Sequence, residues 1–139
     1  MATMISKNEL LVLCGEGLTA ANDLLERSRN SVREMVGGDD IDSDKIDSQQ
    51  FAVHGFAWMA TYVEALRQSL GWAERLQESG QFGDLEQLLL QLGFGGYLAE
   101  LANGIAMSQI EIVRPTDLGL AEEDIVAPVS PILISPSLQ

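Results

Sequence analysis

A long apolar seam in the middle of the chain constrains the fold more than any other feature. Between Asp44 and Ser79, apolar residues recur in alternating steps of four and three without a miss, at Ala52, Phe56, Met59, Val63, Leu66, Leu70 and Ala73. This spacing places all of them on one side of an α-helix, and such a side is stable when it packs along other helices. At a rise of ~1.5 Å per residue the helix is roughly 50 Å long. The segment therefore predicts a helical bundle.

A first helix is predicted upstream, from Ser6 to about Val36. Ser6 and Glu9 have the spacing of a capping box, in which each side chain accepts a backbone N–H at the start of a helix. Two consecutive glycines after Val36 supply a stop. The predicted apolar stripe of this helix comprises Leu11, Cys14, Leu18, Ala21, Leu25, Val32 and Met35.

A third helix is predicted to begin near Asp84, with apolar positions at Leu85, Leu88, Leu89, Leu92, Leu98, Leu101 and Ile105. Three glycines fall within one turn of it, between Gly93 and Gly96. Such a cluster either breaks a helix or lets a neighbouring backbone approach closely. We favour close packing, because the apolar period resumes in phase after the cluster.

Together these segments predict an all-α fold, an antiparallel bundle of three long helices with a short C-terminal helical turn and an extended tail. Residues 37–48 form a short acidic connector in which Asp42, Ser43 or Asp44 caps the following helix. No strand is predicted. Residues 1–126 are assigned to the bundle domain and residues 127–139 to a Pro-containing tail or linker.

The charge balance narrows the range of partners. The 139 residues include 8 Lys plus Arg and 21 Asp plus Glu, for a formal net charge of -13. A field of this sign repels a phosphate backbone and an anionic membrane surface, so neither nucleic acid nor membrane is expected as a partner. With no recognisable export signal and one cysteine, the chain is predicted to be cytoplasmic.

Few residues suit catalysis or metal binding. His54 and Cys14 are the only residues of their types. Both fall on or beside apolar helix faces, which favours packing over chemistry. Trp58, Tyr62 and Trp72 share one helix and are interpreted as core or interface aromatics. We therefore expect no catalytic, cofactor-binding or metal-binding residue in this chain.

One acidic run invites a metal hypothesis. Asp40, Asp42 and Asp44 resemble the start of a calcium-binding loop, but Lys45 and Phe51 stand where the loop needs glycine and glutamate. The favoured interpretation is a solvated acidic cap at a helix start.

Two segments carry a resemblance to a known family. They are QFAVHGFAWMATYVE at residues 50–64 and MSQIEIVRPTDLG at residues 107–119. Over about Ser6 to Leu120 the chain resembles the N-terminal helical extension ahead of the catalytic body in (2S)-methylsuccinyl-CoA dehydrogenases and related acyl-CoA dehydrogenases. The resemblance implies a flavoprotein that removes two hydrogens from a CoA thioester with FAD and a glutamate base. We expect that machinery to lie in the catalytic body, with no cofactor in this chain.

The resemblance predicts an accessory domain or subunit that docks onto a dehydrogenase catalytic body or onto a second copy of itself. An alternative is a freestanding, dimerising helical adaptor, suggested by a mean hydropathy of +0.09 in so acidic a chain. A third hypothesis, a calcium-responsive module, rests on the Asp40 to Asp44 run alone.

Four polar residues are candidates for an interface, namely Ser108, Gln109, Glu111 and Arg114. They cluster in a segment without helical periodicity, and loops on rigid scaffolds are where contacts concentrate. A structural alternative is that Arg114 pairs with Glu111 and fixes the turn at Pro115.

Overall fold

The computed structural model describes residues 5–125. Four helices come first, α1 (Lys7–Met35), α2 (Ser43–Ser48), α3 (Gln50–Glu78) and α4 (Asp84–Asn103). They are followed by strands β1 (Ile105–Ala106) and β2 (Ile112–Val113), a 3₁₀ helix (Pro115–Leu118) and a helical segment over residues 122–125. The predicted bundle of three long helices is confirmed. The tail predicted for residues 127–139 lies outside the described residues.

The three long helices contact one another pairwise and enclose one apolar core. On α3 the predicted seam is confirmed except at one position, where Gly55 is buried and Phe56 is only half-buried. The reason lies in β2, because the Val113 side chain packs directly against the Gly55 backbone. A side chain at position 55 would occupy the space that Val113 fills.

Helix α1 begins as predicted. The Ser6 hydroxyl accepts the Glu9 N–H at 3.2 Å and the Glu9 carboxylate accepts the Ser6 N–H at 2.9 Å. At three places the buried residue of α1 is the one just before the predicted residue. The buried residues there are Leu10, Gly17 and Leu24. The predicted residues Leu11, Leu18 and Leu25 are half-buried. Adjacent apolar residues leave the phase of a helix open, and packing against α3 and α4 decides it.

The acidic connector, residues 37–48, contains the short helix α2, which was not predicted from the sequence. Asp42 caps α2 by accepting the N–H groups of Asp44 at 2.9 Å and Lys45 at 3.4 Å. The long helix α3 starts separately at Gln50 and has no side-chain cap. The prediction that Asp42, Ser43 or Asp44 caps the long helix is therefore wrong, because Asp42 caps a short preceding turn.

Helix α4 departs furthest from expectation. Its buried residues are Leu90, Phe94, Leu98 and Leu101, whereas four predicted core leucines are exposed, namely Leu85, Leu88, Leu89 and Leu92. The helix is continuous through its glycines, yet a Cβ added at Gly93 or Gly96 meets nothing within 4 Å. Close packing of a neighbouring backbone against these two glycines is thus not found among residues 5–125.

Strands β1 and β2 correct the expectation that the chain has no strand. They pair antiparallel, with Ile105 opposite Val113 and Ala106 opposite Ile112. Ile105 and Val113 are buried and join the core, while Ala106 and Ile112 face outward. Two residues per strand are too few for an alternating apolar pattern to be recognised.

Candidate docking site

Three of the four candidate interface residues, Ser108, Gln109 and Glu111, lie at the tip of the hairpin formed by β1 and β2. At its tip the Glu111 carbonyl accepts the N–H groups of Met107 at 2.9 Å and Ser108 at 3.3 Å. The Ser108 hydroxyl oxygen accepts the N–H groups of Ile110 at 3.4 Å and Glu111 at 3.1 Å. It also donates to the Glu111 carboxylate at 3.2 Å. These bonds give the tip a defined shape without help from the bundle.

The tip presents an apolar side chain that the sequence reading did not select. Ile110 is 93% exposed and Ile112 is 45% exposed. Gln109, beside Ile110, is also exposed. The available signal was the pair Ile110 and Ile112 on either side of Glu111, in a segment without helical periodicity.

Arg114 stands just after the hairpin, where its backbone N–H donates to Asp117 at 2.7 Å and so opens the 3₁₀ helix. The alternative pairing of Arg114 with Glu111 is not found among the ion pairs of residues 5–125. Glu111 is engaged by Ser108 instead. Arg114 is exposed, and its guanidinium is available for contact with another molecule.

The base of the hairpin is held firmly to the bundle. Val113 packs onto Gly55 of α3, and Ile105 is 1% exposed. Gly104 turns the chain from α4 into β1 with a φ of 139°, a conformation that side chains other than glycine rarely adopt. Ser108, Gln109 and Glu111 therefore lie at the tip of a hairpin with a buried base, and Arg114 follows its second strand.

An aromatic cluster lies on α3 and α4. The rings of Tyr62 and Tyr97 stack with centroids 4.5 Å apart, and the Tyr62 hydroxyl donates to Glu100 at 2.6 Å. One turn earlier on α3, the Trp58 indole N–H donates to His54 at 2.8 Å. This bond gives the chain's one histidine a structural partner. The cluster supports the interpretation of Trp58 and Tyr62 as packing aromatics.

Two groups in the bundle have strongly raised pKa values. Burial, together with the hydrogen bond to Glu100, raises the pKa of Tyr62 to about 12. Burial alone raises the pKa of the Cys14 thiol to about 12, and Cys14 is 0% exposed. A thiol that stays protonated and inaccessible is a poor nucleophile.

The features that sequence and structure offer for phosphate or metal binding are few among residues 5–125. A shallow groove of about 200 Å³ on α3 is lined by His54, Ala57, Trp58 and Thr61, without a Lys or Arg to meet phosphates. The glycine cluster of residues 93–96 lies inside a helix rather than at a helix start. Residues 5–125 also contain no group of three His, Cys, Asp or Glu side chains arranged for a metal ion.

Comparison with known proteins shows a similarity to a dehydrogenase. The chain is 43% identical over 113 residues to (2S)-methylsuccinyl-CoA dehydrogenase of Cereibacter sphaeroides. The match covers 81% of this chain and 21% of that dehydrogenase, so the chain spans about a fifth of the length of the curated relative. No protein-family model matches the chain. In the part of the chain that the structure describes, no helix is long and apolar enough to cross a membrane.

Proposed function

We propose that this chain is an accessory helical domain or subunit of an FAD-dependent acyl-CoA dehydrogenase, with a structural and oligomerisation role and no catalysis of its own. The observation that carries the proposal is the 43% identity over 113 residues to a dehydrogenase of which the match spans 21%. On this proposal FAD and the thioester are bound by a separate catalytic body. The helical bundle contributes by contacting that catalytic body or a second copy of the chain.

The hairpin tip is the proposed contact with the catalytic body. Ser108 and Glu111 shape the tip, and Gln109 and Arg114 supply exposed hydrogen-bond donors beside it. Ile110, at 93% exposure, supplies the apolar centre that interfaces need. Because Arg114 is a cation on a chain of net charge -13, it also favours a carboxylate on the partner.

A pair of matched substitutions tests this contact. We expect Ile110→Ser to weaken binding to the flavoprotein partner at least ~10-fold, the loss that accompanies removal of one buried apolar anchor. Ile41→Ser is the control, since Ile41 is 52% exposed in the loop before α2, away from the hairpin. Binding is measured by titrating the purified chain onto the flavoprotein co-purified with it from source cells. Equal affinities for the two variants would remove the hairpin from the interface.

An alternative function is a freestanding helical adaptor that dimerises. It is favoured by the row of exposed leucines on α4, which a monomer has no structural reason to keep. The two functions differ in one respect that can be measured. An accessory dehydrogenase domain co-purifies with flavin, and an adaptor does not.

We also propose a cytoplasmic location. The chain's single cysteine, Cys14, is a free thiol buried in the core. The chain therefore forms no internal disulfide that would need an oxidising compartment.

A further inference from the structure

One side of α4 is apolar, and its N-terminal half is exposed to solvent. Leu85, Leu88, Leu89 and Leu92 are 63%, 55%, 52% and 73% exposed, respectively. Gly96 continues the same side toward the C-terminal end, followed by half-buried Ala99. We call these six residues the α4 stripe. Monomeric soluble proteins rarely leave so continuous an apolar surface open to water.

The α4 stripe carries no charge, although the chain as a whole carries -13. The charged residues of α4 are Asp84, Glu86 and Glu100. By helical periodicity all three project to the sides of the stripe rather than from its centre. Two copies of the chain can therefore bring their stripes together without placing carboxylates face to face, which is the main electrostatic obstacle to self-association of an acidic protein.

The two halves of the stripe are complementary in size. Its N-terminal half bears large leucines, whereas its C-terminal half bears Gly96 and Ala99. A Cβ placed on Gly96 would meet nothing within 4 Å, so the space beside this residue is open to a side chain of a second copy. In an antiparallel pair with a two-fold axis at Leu92, Leu88 lies opposite Gly96 of the second copy. Leu85 then lies opposite Ala99.

We propose that the α4 stripe is a self-association surface, on which two copies of this chain pair through antiparallel α4 helices about a two-fold axis at Leu92. Large side chains of one copy fill the small half of the other, as an isologous interface requires. Antiparallel helices also align their dipoles favourably. The inference rests on the oligomerisation role in the proposed function, and it names the surface and the partner.

The interface is small. A single helix pair buries less than the ~800 Å² per partner of a standard interface, and contacts of that size are weak. We therefore expect a dimer with a Kd of about 1 to 100 μM rather than a permanent one.

Sedimentation equilibrium of the 139-residue chain tests self-association, over concentrations from about 1 μM to about 1 mM that bracket the expected Kd. Leu88→Glu is expected to weaken the dimer at least ~100-fold, because a carboxylate then faces Gly96 in a dry contact. Val12→Glu is the matched control, since Val12 is 62% exposed on α1, and it is expected to dimerise like wild type. Both replaced side chains are exposed, so circular dichroism and melting temperature should match wild type.

Single cysteines test the arrangement of the pair. In the proposed dimer the two copies of residue 92 face each other, while the two copies of residue 85 are ~21 Å apart along the helix axis. Oxidation should therefore cross-link Leu92→Cys and leave Leu85→Cys uncross-linked, since a disulfide needs Cα atoms within ~7 Å. The native Cys14 is 0% exposed and is present in both variants.

Three results would overturn the inference: a monomer throughout the concentration range, an undiminished dimer for Leu88→Glu, or cross-linking at residue 85 rather than residue 92. None of them bears on flavoprotein binding, which Ile110→Ser measures separately. A monomer that binds the flavoprotein would refute the pairing and leave the proposed function standing. A chain that dimerises but binds no flavoprotein would refute the proposed function and leave the pairing of α4 helices standing.

Discussion

Gly55 shows how one residue joins the hairpin to the bundle. It lies in the second turn of α3, inside the helix, where glycine costs up to ~1 kcal/mol relative to alanine. That cost is offset by the contact with Val113, which seats β2 against the helix. The burial of Gly55 depends on Val113, a residue far away in the chain. No local pattern reports such a contact.

We expect Gly55→Ala to lower the free energy of unfolding by about 1 to 3 kcal/mol, because the added methyl group overlaps Val113 in a packed core. Gly15→Ala is the matched control on α1, where an added Cβ meets nothing within 4 Å. It should raise the free energy of unfolding by about 0.5 to 1 kcal/mol. Urea denaturation measures both. A gain in stability for Gly55→Ala would contradict the close contact.

Tyr62 makes stability sensitive to alkaline pH. Its pKa is raised to about 12 in the folded chain, against 10.0 ordinarily, by burial and by the hydrogen bond to Glu100. A raised folded-state pKa means that the stabilisation is complete below pH 10 and is lost as the pH rises toward 12. In Tyr97→Phe, Tyr62 is the one remaining tyrosine, so ultraviolet titration of tyrosinate reports it alone.

We expect that titration to show a midpoint near 12, and to shift toward 10 when Glu100→Gln is added. An unshifted midpoint in the double variant would show that burial alone sets the pKa of Tyr62.

Among the helices and strands, those with a clear apolar period in the sequence were predicted best. Helix α3 has a single apolar side, and its seam was predicted almost completely. Helix α4 has leucines around most of its N-terminal half, so periodicity could not select Leu90 over Leu88 or Leu92 for the core. Only packing against α1 and α3 makes that choice. The hairpin, with two residues in each strand, was too short to leave a pattern.

The short helix α2 should be the least stable helix among residues 5–125. It has 6 residues, none of them buried, and it depends on the Asp42 cap. Isolated helices of this length are unstable in water. We expect the α2 amides to exchange hydrogen by local opening, while amides near Met59 and Val63 exchange only on global unfolding.

Hydrogen exchange followed by mass spectrometry or NMR measures this difference. Asp42→Ala should speed exchange in α2 and leave the melting temperature within about 2 °C of wild type, since only an exposed turn is lost. Protection in α2 equal to that in α3 would contradict this ranking.

At the scale of the whole molecule, residues 5–125 expose two separate apolar surfaces, the hairpin tip and the α4 stripe. The one cysteine is buried, and the one histidine accepts a hydrogen bond from Trp58. We propose the hairpin tip as the contact with a catalytic body and the α4 stripe as the contact with a second copy. The fold class was predictable from the sequence, and the choice of Ser108, Gln109, Glu111 and Arg114 as interface residues stays a prediction. The two exposed apolar surfaces were not predictable, because each is defined by what the rest of the fold leaves exposed.

The most direct test of the account is the flavin content of this protein isolated from its own cells, compared with that of the 139-residue chain purified alone. Affinity capture, visible absorbance and acyl-CoA-dependent reduction of an electron acceptor give the readout. We predict flavin and dehydrogenase activity in the captured material, and neither in the isolated chain. Captured material without flavin, or an isolated chain that binds flavin stoichiometrically, would contradict the account.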